Sequence, residues 1–144
     1  MDFLIYMFET RLYLFIGMLG LLFFVVSFFV YIVFYVYMNI NLKSISKIIF
    51  NNENKYKRPL EPFNFIFLSF LPITYWREII NIKYHKNFRK LYGKESFYYS
   101  INKDQLIELL KKYKIYFVLQ YIVFFFTGLA LIFVIFSYVL YKYS

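Results

Sequence analysis

The sequence predicts an all-α membrane protein in which two antiparallel transmembrane helices form a hairpin, joined by a basic loop that contains an amphipathic helix. Residues 12–38 and 115–141 are 27-residue stretches without a charge, and 18 residues in each are Leu, Ile, Val or Phe. A helix of that length measures about 40 Å, more than the hydrocarbon thickness of about 30 Å. Between the two stretches, from Lys43 to Lys114, lie 15 of the 17 Lys and Arg residues.

The composition favours a chain covered by lipid or by partner subunits. Of its 144 residues, 62% are hydrophobic and 27% are aromatic, more than a water-soluble domain of this size would bury. The chain has no cysteine, which excludes disulfides, thiolate catalysis and Cys-based zinc sites. His85 is the only histidine, and one imidazole does not make a metal site. We therefore expect no enzyme active site, no cofactor and no metal.

Small residues in the two predicted spans indicate how the helices pack. They recur at i, i+3 and i+10 in both, as Gly17, Gly20 and Ser27 in the first and Thr127, Ala130 and Ser137 in the second. Antiparallel packing would place Gly17 beside Ser137 and Ser27 beside Thr127. Because small residues let transmembrane backbones approach closely, we expect the two helices to touch along these faces. The alternative is that lipids or partner subunits cover them.

Residues 39–72 read as a basic and aromatic linker. Lys43–Phe50 is able to continue the first helix out of the membrane, and the asparagine-rich residues 51–54 predict a break. Phe63–Leu71 is apolar but too short to cross a bilayer as a helix. We expect it to lie at the membrane surface or against a partner.

Residues 73–92 are predicted to form an amphipathic helix. Apolar and aromatic residues recur there at intervals of three and four: Trp76, Ile79, Ile80, Tyr84, Phe88, Leu91 and Tyr92. Lys and Arg occupy much of the remaining surface, a pattern typical of helices at a membrane interface, with Trp76 as an interfacial anchor. Packing on another protein would produce the same pattern.

Residues 102–141 are predicted to form one long helix that includes the second span. Asn102 is a candidate N-cap, with Gln105 at the third helical position as in a capping box. No Gly or Pro interrupts the sequence before Ile115. About ten residues of this helix would lie outside the membrane.

The positions of the charges predict orientation and ligands. Lysines flank the loop-side ends of both spans, so the positive-inside rule places the loop in the cytoplasm or the mitochondrial matrix. The residues expected to bind anionic lipid headgroups, such as those of cardiolipin, are Lys43, Lys47, Arg77, Lys83, Arg89, Lys111, Lys112 and Lys114. Nucleic acid is less favoured, because the aromatic side chains fall opposite the charges on residues 73–92 rather than among them.

The chain resembles the mitochondrially encoded orphan membrane proteins of ciliates. The resemblance rests on saturation with Phe, Tyr, Ile, Asn and Lys, the lone Trp76, a single alanine, two Phe-rich spans and an acidic N-terminus where a presequence would be basic. It implies a subunit of a complex in the mitochondrial inner membrane. We expect a non-catalytic accessory subunit of a respiratory complex, cytochrome c oxidase first. The alternatives are a membrane subunit of ATP synthase or complex I, and a tether that binds RNA or ribosomes through the basic loop.

Overall fold

The computed structural model of the chain describes residues 11–84 and 101–143. In these ranges the chain is all-helical. The five helices are α1 (Leu12–Phe50), α2 (Pro62–Thr74), α3 (Trp76–Lys83), α4 (Lys103–Lys112) and α5 (Lys114–Tyr143). Helices α1 and α5, with 39 and 30 residues, are both long and apolar enough to cross a membrane. The chain therefore has the composition and secondary structure of a membrane protein.

Helix α1 continues beyond its charge-free part, and there one of its faces becomes buried while another carries exposed lysines. After Leu42 the buried residues follow a helical period, with Leu42, Ile45 and Ile49 fully buried, while Lys43 and Lys47 are exposed. The helix ends at Phe50, and Asn51 adopts a positive φ of 53°. Asparagine tolerates this left-handed conformation better than most residues, which explains why the break falls at the asparagine cluster.

Helices α2 and α3 differ from the predicted boundaries. Within the predicted basic and aromatic linker 39–72, a helix begins at Pro62, where the fixed φ of proline suits the first helical turn. The helix predicted over residues 73–92 begins at Trp76, because α2 runs through Thr74 and bends by 43° into α3 at Tyr75. Its part beyond residue 84 lies outside the described residues.

The predicted long helix 102–141 is divided in two. Its start is confirmed: the Asn102 side chain accepts from the Gln105 N–H at 2.9 Å, and the Gln105 side chain accepts from the Asn102 N–H at 2.8 Å. Tyr113, with φ −125° and ψ 47°, then leaves the helical conformation. Its N–H still bonds to the Leu109 carbonyl, and its own carbonyl accepts from the Tyr116 N–H. No Gly or Pro marks this break, and Leu106 and Leu109 on α4 are buried.

The described chain divides into two compact units. The first contains the described parts of Met1–Ile32 and Ile122–Ser144, and the second is Val33–Tyr121. The core of the second unit is apolar and aromatic, and its fully buried side chains include Phe34, Met38, Leu42, Ile45, Ile49, Leu60, Leu68, Leu71, Ile101, Leu106, Leu109 and Tyr116.

Candidate functional site

The first unit contains a seam of small and hydroxylated residues between α1 and α5. The Oγ of Ser27 lies 2.6 Å from the Oγ1 of Thr127 and donates to the Val123 carbonyl at 3.3 Å. The Oγ of Ser137 donates to the Tyr13 carbonyl at 2.6 Å. These hydroxyls therefore find partners on the facing helix in a setting where water would not supply them.

Two glycines permit the close approach of the helices along this seam. A Cβ added to Gly17 would lie 3.0 Å from the Ser137 Oγ. A Cβ added to Gly20 would lie 3.0 Å from a Val134 methyl group and 3.2 Å from the Ala130 carbonyl oxygen. The structure thus brings together all six small residues singled out in the sequence. Gly128, in contrast, has nothing within 4 Å of the Cβ position.

Aromatic contacts extend the seam on both sides. The Phe23 ring packs against Phe126 and Phe133, with centroids 5.9 and 5.4 Å away. The Tyr13 ring lies 5.4 Å from that of Tyr141. Each of these pairs joins the two long helices, so large aromatic side chains flank the seam.

The second unit contains a set of tyrosine hydroxyls that donate to backbone carbonyls of the segment around α2. Pro72 has no N–H, so the Leu68 carbonyl four residues earlier loses its helical donor. The Tyr116 hydroxyl, which is buried, donates to that carbonyl. The Tyr121 hydroxyl donates to the Pro72 carbonyl at 3.3 Å, and the Tyr35 hydroxyl donates to the Leu60 carbonyl at 2.9 Å.

These tyrosine contacts were not predicted. Nothing in the spacing of the tyrosines indicates a partner for their hydroxyls. The signal that was available is Pro72 inside an apolar stretch, since a proline there requires an outside donor for the freed carbonyl. Edge-on packing of Phe65 against Phe34 at 5.5 Å and Tyr35 at 5.1 Å completes this cluster.

The cations expected to bind headgroups fall into two groups. Lys47 pairs with Glu53 at 2.5 Å, and Lys112 pairs with Glu108 at 2.6 Å. The others within the described residues are exposed: Lys43, Arg77, Lys83, Lys111 and Lys114. Arg89 lies outside the described residues. The predicted anchor Trp76 is 57% exposed.

Lys47 and Lys112 share a polar cavity of about 390 Å³ between the end of α1 and α4. Its lining consists of Ser44, Lys47, Ile48, Asn51, Gln105, Glu108, Lys112 and Tyr113. The hydrogen bond and charge of Lys47 lower the pKa of Glu53, and those of Glu108 raise the pKa of Lys112. Because both lysines are already paired with carboxylates, the cavity is close to neutral and favours polar molecules over strong anions.

Glu78 and Gln120 are the largest of the buried polar side chains in the described residues. Glu78 on α3 is fully buried, and its Oε2 accepts from the Asn81 amide at 3.4 Å. Gln120 on α5 is 3% exposed. Neither burial was predicted from the sequence.

The side chains that bind metals in proteins do not cluster in the described part of the chain. Residues 11–84 and 101–143 contain no group of three or more His, Cys, Asp or Glu side chains arranged to hold a metal ion. His85 lies outside these ranges. The arrangements that the structure does show are suited to holding helices together and to meeting an apolar environment.

Comparisons with protein-family models, with characterised proteins and with solved structures found no match to this chain. The functional inference therefore rests on the residues of the chain itself.

Proposed function

We propose that this chain is a non-catalytic accessory subunit of a larger membrane complex, anchored by an antiparallel hairpin of α1 and α5. The pairing along the seam supports the antiparallel arrangement. Tyr13 and Ser27, near the start and middle of α1, meet Ser137 and Thr127, near the end and middle of α5. Two helices that run in the same direction would pair early residues with early residues.

The observation that carries the proposal is the surface that the seam leaves uncovered. The small and hydroxylated residues make the contacts between α1 and α5, and large apolar side chains cover the remaining faces of the two helices. Among those more than half exposed are Leu21, Leu22, Phe24, Phe28, Phe29, Phe124, Phe125, Leu131, Ile132 and Ile135. No Asp, Glu, Lys or Arg occurs in residues 12–42 or 115–141, where a transporter or proton channel would place its ionisable groups. Such faces are suited to contact with lipid chains and with the apolar helices of other subunits.

The particular complex that we propose is a respiratory complex of the mitochondrial inner membrane, with cytochrome c oxidase as the first candidate. The compositional resemblance to ciliate mitochondrial membrane proteins supports this location. The lysines at the loop-side ends of the spans support a loop on the matrix side. ATP synthase and complex I remain alternatives of the same class.

Anionic lipid is the small-molecule partner that we propose, with cardiolipin as the expected species. Lys43, Lys111 and Lys114 are exposed beside the charge-free stretches, where each positive charge near an anionic surface contributes about 1 kcal/mol. Lys47 and Lys112 contribute less to this binding, since each is held by a carboxylate. Binding of RNA by the same cations is the competing use of this surface.

Native-gel migration of the solubilised membranes, followed by mass spectrometry of the band, tests the proposal. We expect the chain in a large band that carries haem absorbance and does not shift after RNase treatment. Migration with ATPase activity would identify ATP synthase instead, and a shift after RNase would favour the RNA tether. Migration alone as a monomer or homodimer would contradict the accessory-subunit proposal.

A further inference from the structure

Helix α2 lies beside the loop-side ends of the two apolar stretches. Phe65 on α2 packs against the rings of Phe34 and Tyr35. The hydroxyls of Tyr116 and Tyr121 bond to carbonyls of α2. All four partners belong to the charge-free stretches 12–42 and 115–141, so α2 is held by the apolar parts of α1 and α5.

The depth of α2 in the membrane follows from its distance to the lysines closest to these contacts. Tyr121 follows Lys114 by seven residues in α5, which is about 10 Å along a helix. Phe34 precedes Lys43 by nine residues in α1, which is about 14 Å. Amphipathic helices at an interface bury their apolar faces about 5–10 Å into the boundary of headgroups and acyl chains. The contacts of α2 thus fall on the membrane side of the lysines and within one leaflet, since about 14 Å is less than half of the hydrocarbon thickness of about 30 Å.

The segment enters and leaves on the same side. On entry, Arg58 donates to the Ile40 carbonyl at 2.7 Å, and the Leu60 N–H donates to the Asn39 side chain at 2.7 Å. After the bend at Tyr75, α3 packs against α4, which precedes Lys114 and therefore lies on the loop side of the second span. Residues 62–83 are long and apolar enough to form a broken span. Their contacts, however, begin and end on the loop side of the two spans.

The outward face of α2 is a stripe of large apolar side chains. Phe63, Ile66, Phe67 and Phe70 are 78%, 41%, 48% and 44% exposed and follow the spacing i, i+3, i+4 and i+7. Phe65, Leu68 and Leu71 are buried on the opposite face. At the end of the stripe, on α3, the exposed residues are Trp76, Arg77, Ile80 and Lys83. A tryptophan beside cations is typical of a membrane–water boundary.

We propose that α2 and α3 form a re-entrant wedge that occupies only the loop-side leaflet, with the stripe of Phe63, Ile66, Phe67 and Phe70 in contact with lipid acyl chains. The occupant is lipid because the stripe lies at the depth of the apolar parts of α1 and α5 and is bordered by a tryptophan and cations. The inference rests on the proposed two-span hairpin, and the following experiment separates the two.

Tryptophan fluorescence in lipid vesicles tests the wedge, since Trp76 is the only tryptophan of the chain. The full chain is reconstituted in vesicles whose lipids carry bromine either near the headgroup or near the chain end. The reporter is Phe67→Trp combined with Trp76→Phe. Matched controls in the Trp76→Phe background are Lys57→Trp, in the polar segment before α2, and Val25→Trp, near the middle of the first span.

The wedge predicts that the Phe67→Trp reporter emits at a shorter wavelength than the Lys57→Trp control and loses more emission to shallow than to deep bromine. Greater loss of emission to deep bromine would indicate that residues 62–83 form a third span. Emission at the wavelength of the Lys57→Trp control, together with quenching by aqueous acrylamide, would place the stripe in water or under protein. Either result overturns the wedge. The proposed hairpin is tested separately by the Val25→Trp control, and weaker quenching of that control by deep than by shallow bromine would contradict it.

Discussion

At the scale of single residues, two glycines of similar sequence context have opposite roles. Gly20 faces the backbone of α5, whereas Gly128 faces open space. A side chain of any size at Gly20 meets backbone atoms that do not move aside, and overpacking of this kind costs about 1–3 kcal/mol. At Gly128 alanine has room and is a better helix former than glycine by about 1 kcal/mol.

We therefore expect Gly20→Ala to lower the free energy of separating α1 and α5 by about 1–3 kcal/mol, and Gly128→Ala to leave it unchanged or raise it slightly. Reversible unfolding in mixed detergent micelles measures both variants. Equal effects of the two substitutions would contradict the close approach of the helices along the seam.

Tyr116 offers a second test at this scale. Phenylalanine in its place keeps the ring and removes the hydroxyl that bonds to the Leu68 carbonyl. Because Pro72 already denies that carbonyl its helical donor, we expect Tyr116→Phe to cost about 1–3 kcal/mol of unfolding free energy. Tyr138→Phe is the matched control, since Tyr138 is 65% exposed. No loss in the Tyr116→Phe variant would show that this bond does not stabilise α2.

At the scale of elements, the sequence predicts those features that local chemistry determines. The two apolar helices, the capping box at Asn102 and the end of α1 at the asparagine cluster all follow from spacing, capping and backbone preference. The breaks at Tyr75 and Tyr113 do not, because neither residue is a helix breaker. Burial of Glu78 belongs to the same class: it depends on which elements meet, which the periodicity of α3 alone does not specify.

The loop after α1 has a pH dependence that can be checked. Lys47 lowers the pKa of Glu53 below its ordinary value of 4.5. A carboxyl whose folded pKa is lowered stabilises the fold above its unfolded pKa and loses that contribution as the pH falls through the folded pKa. The Lys47–Glu53 contact should therefore be intact at neutral pH and lost as the pH falls through the lowered pKa of Glu53.

Titration of the Glu53 carboxyl by NMR in the wild-type protein and in Lys47→Gln measures this directly. We expect a lower pKa for Glu53 in the wild-type protein and a return to the ordinary value in Lys47→Gln. Because both partners are largely exposed, high salt should shrink the difference. An unshifted Glu53 in the wild type at low salt would contradict the pairing.

At the scale of the whole molecule, three features occur together. A seam of small residues holds α1 and α5 together, tyrosines of the spans hold a helical segment against them, and large apolar faces remain uncovered. Uncovered apolar faces of this size are the feature that the proposed accessory subunit would place against lipid and larger partners. The proposed orientation of the loop rests on the lysines that flank the two spans.

The most direct test of the central claim is the sidedness of single cysteines, because the chain has none of its own. Cysteine is introduced in separate variants at Arg11, Lys57 and Lys142, and sealed vesicles are treated with a membrane-impermeant maleimide before and after permeabilisation. The hairpin predicts that positions 11 and 142 react from one side of the membrane and position 57 from the other. Reaction of all three from the same side, or of positions 11 and 142 from opposite sides, would contradict it.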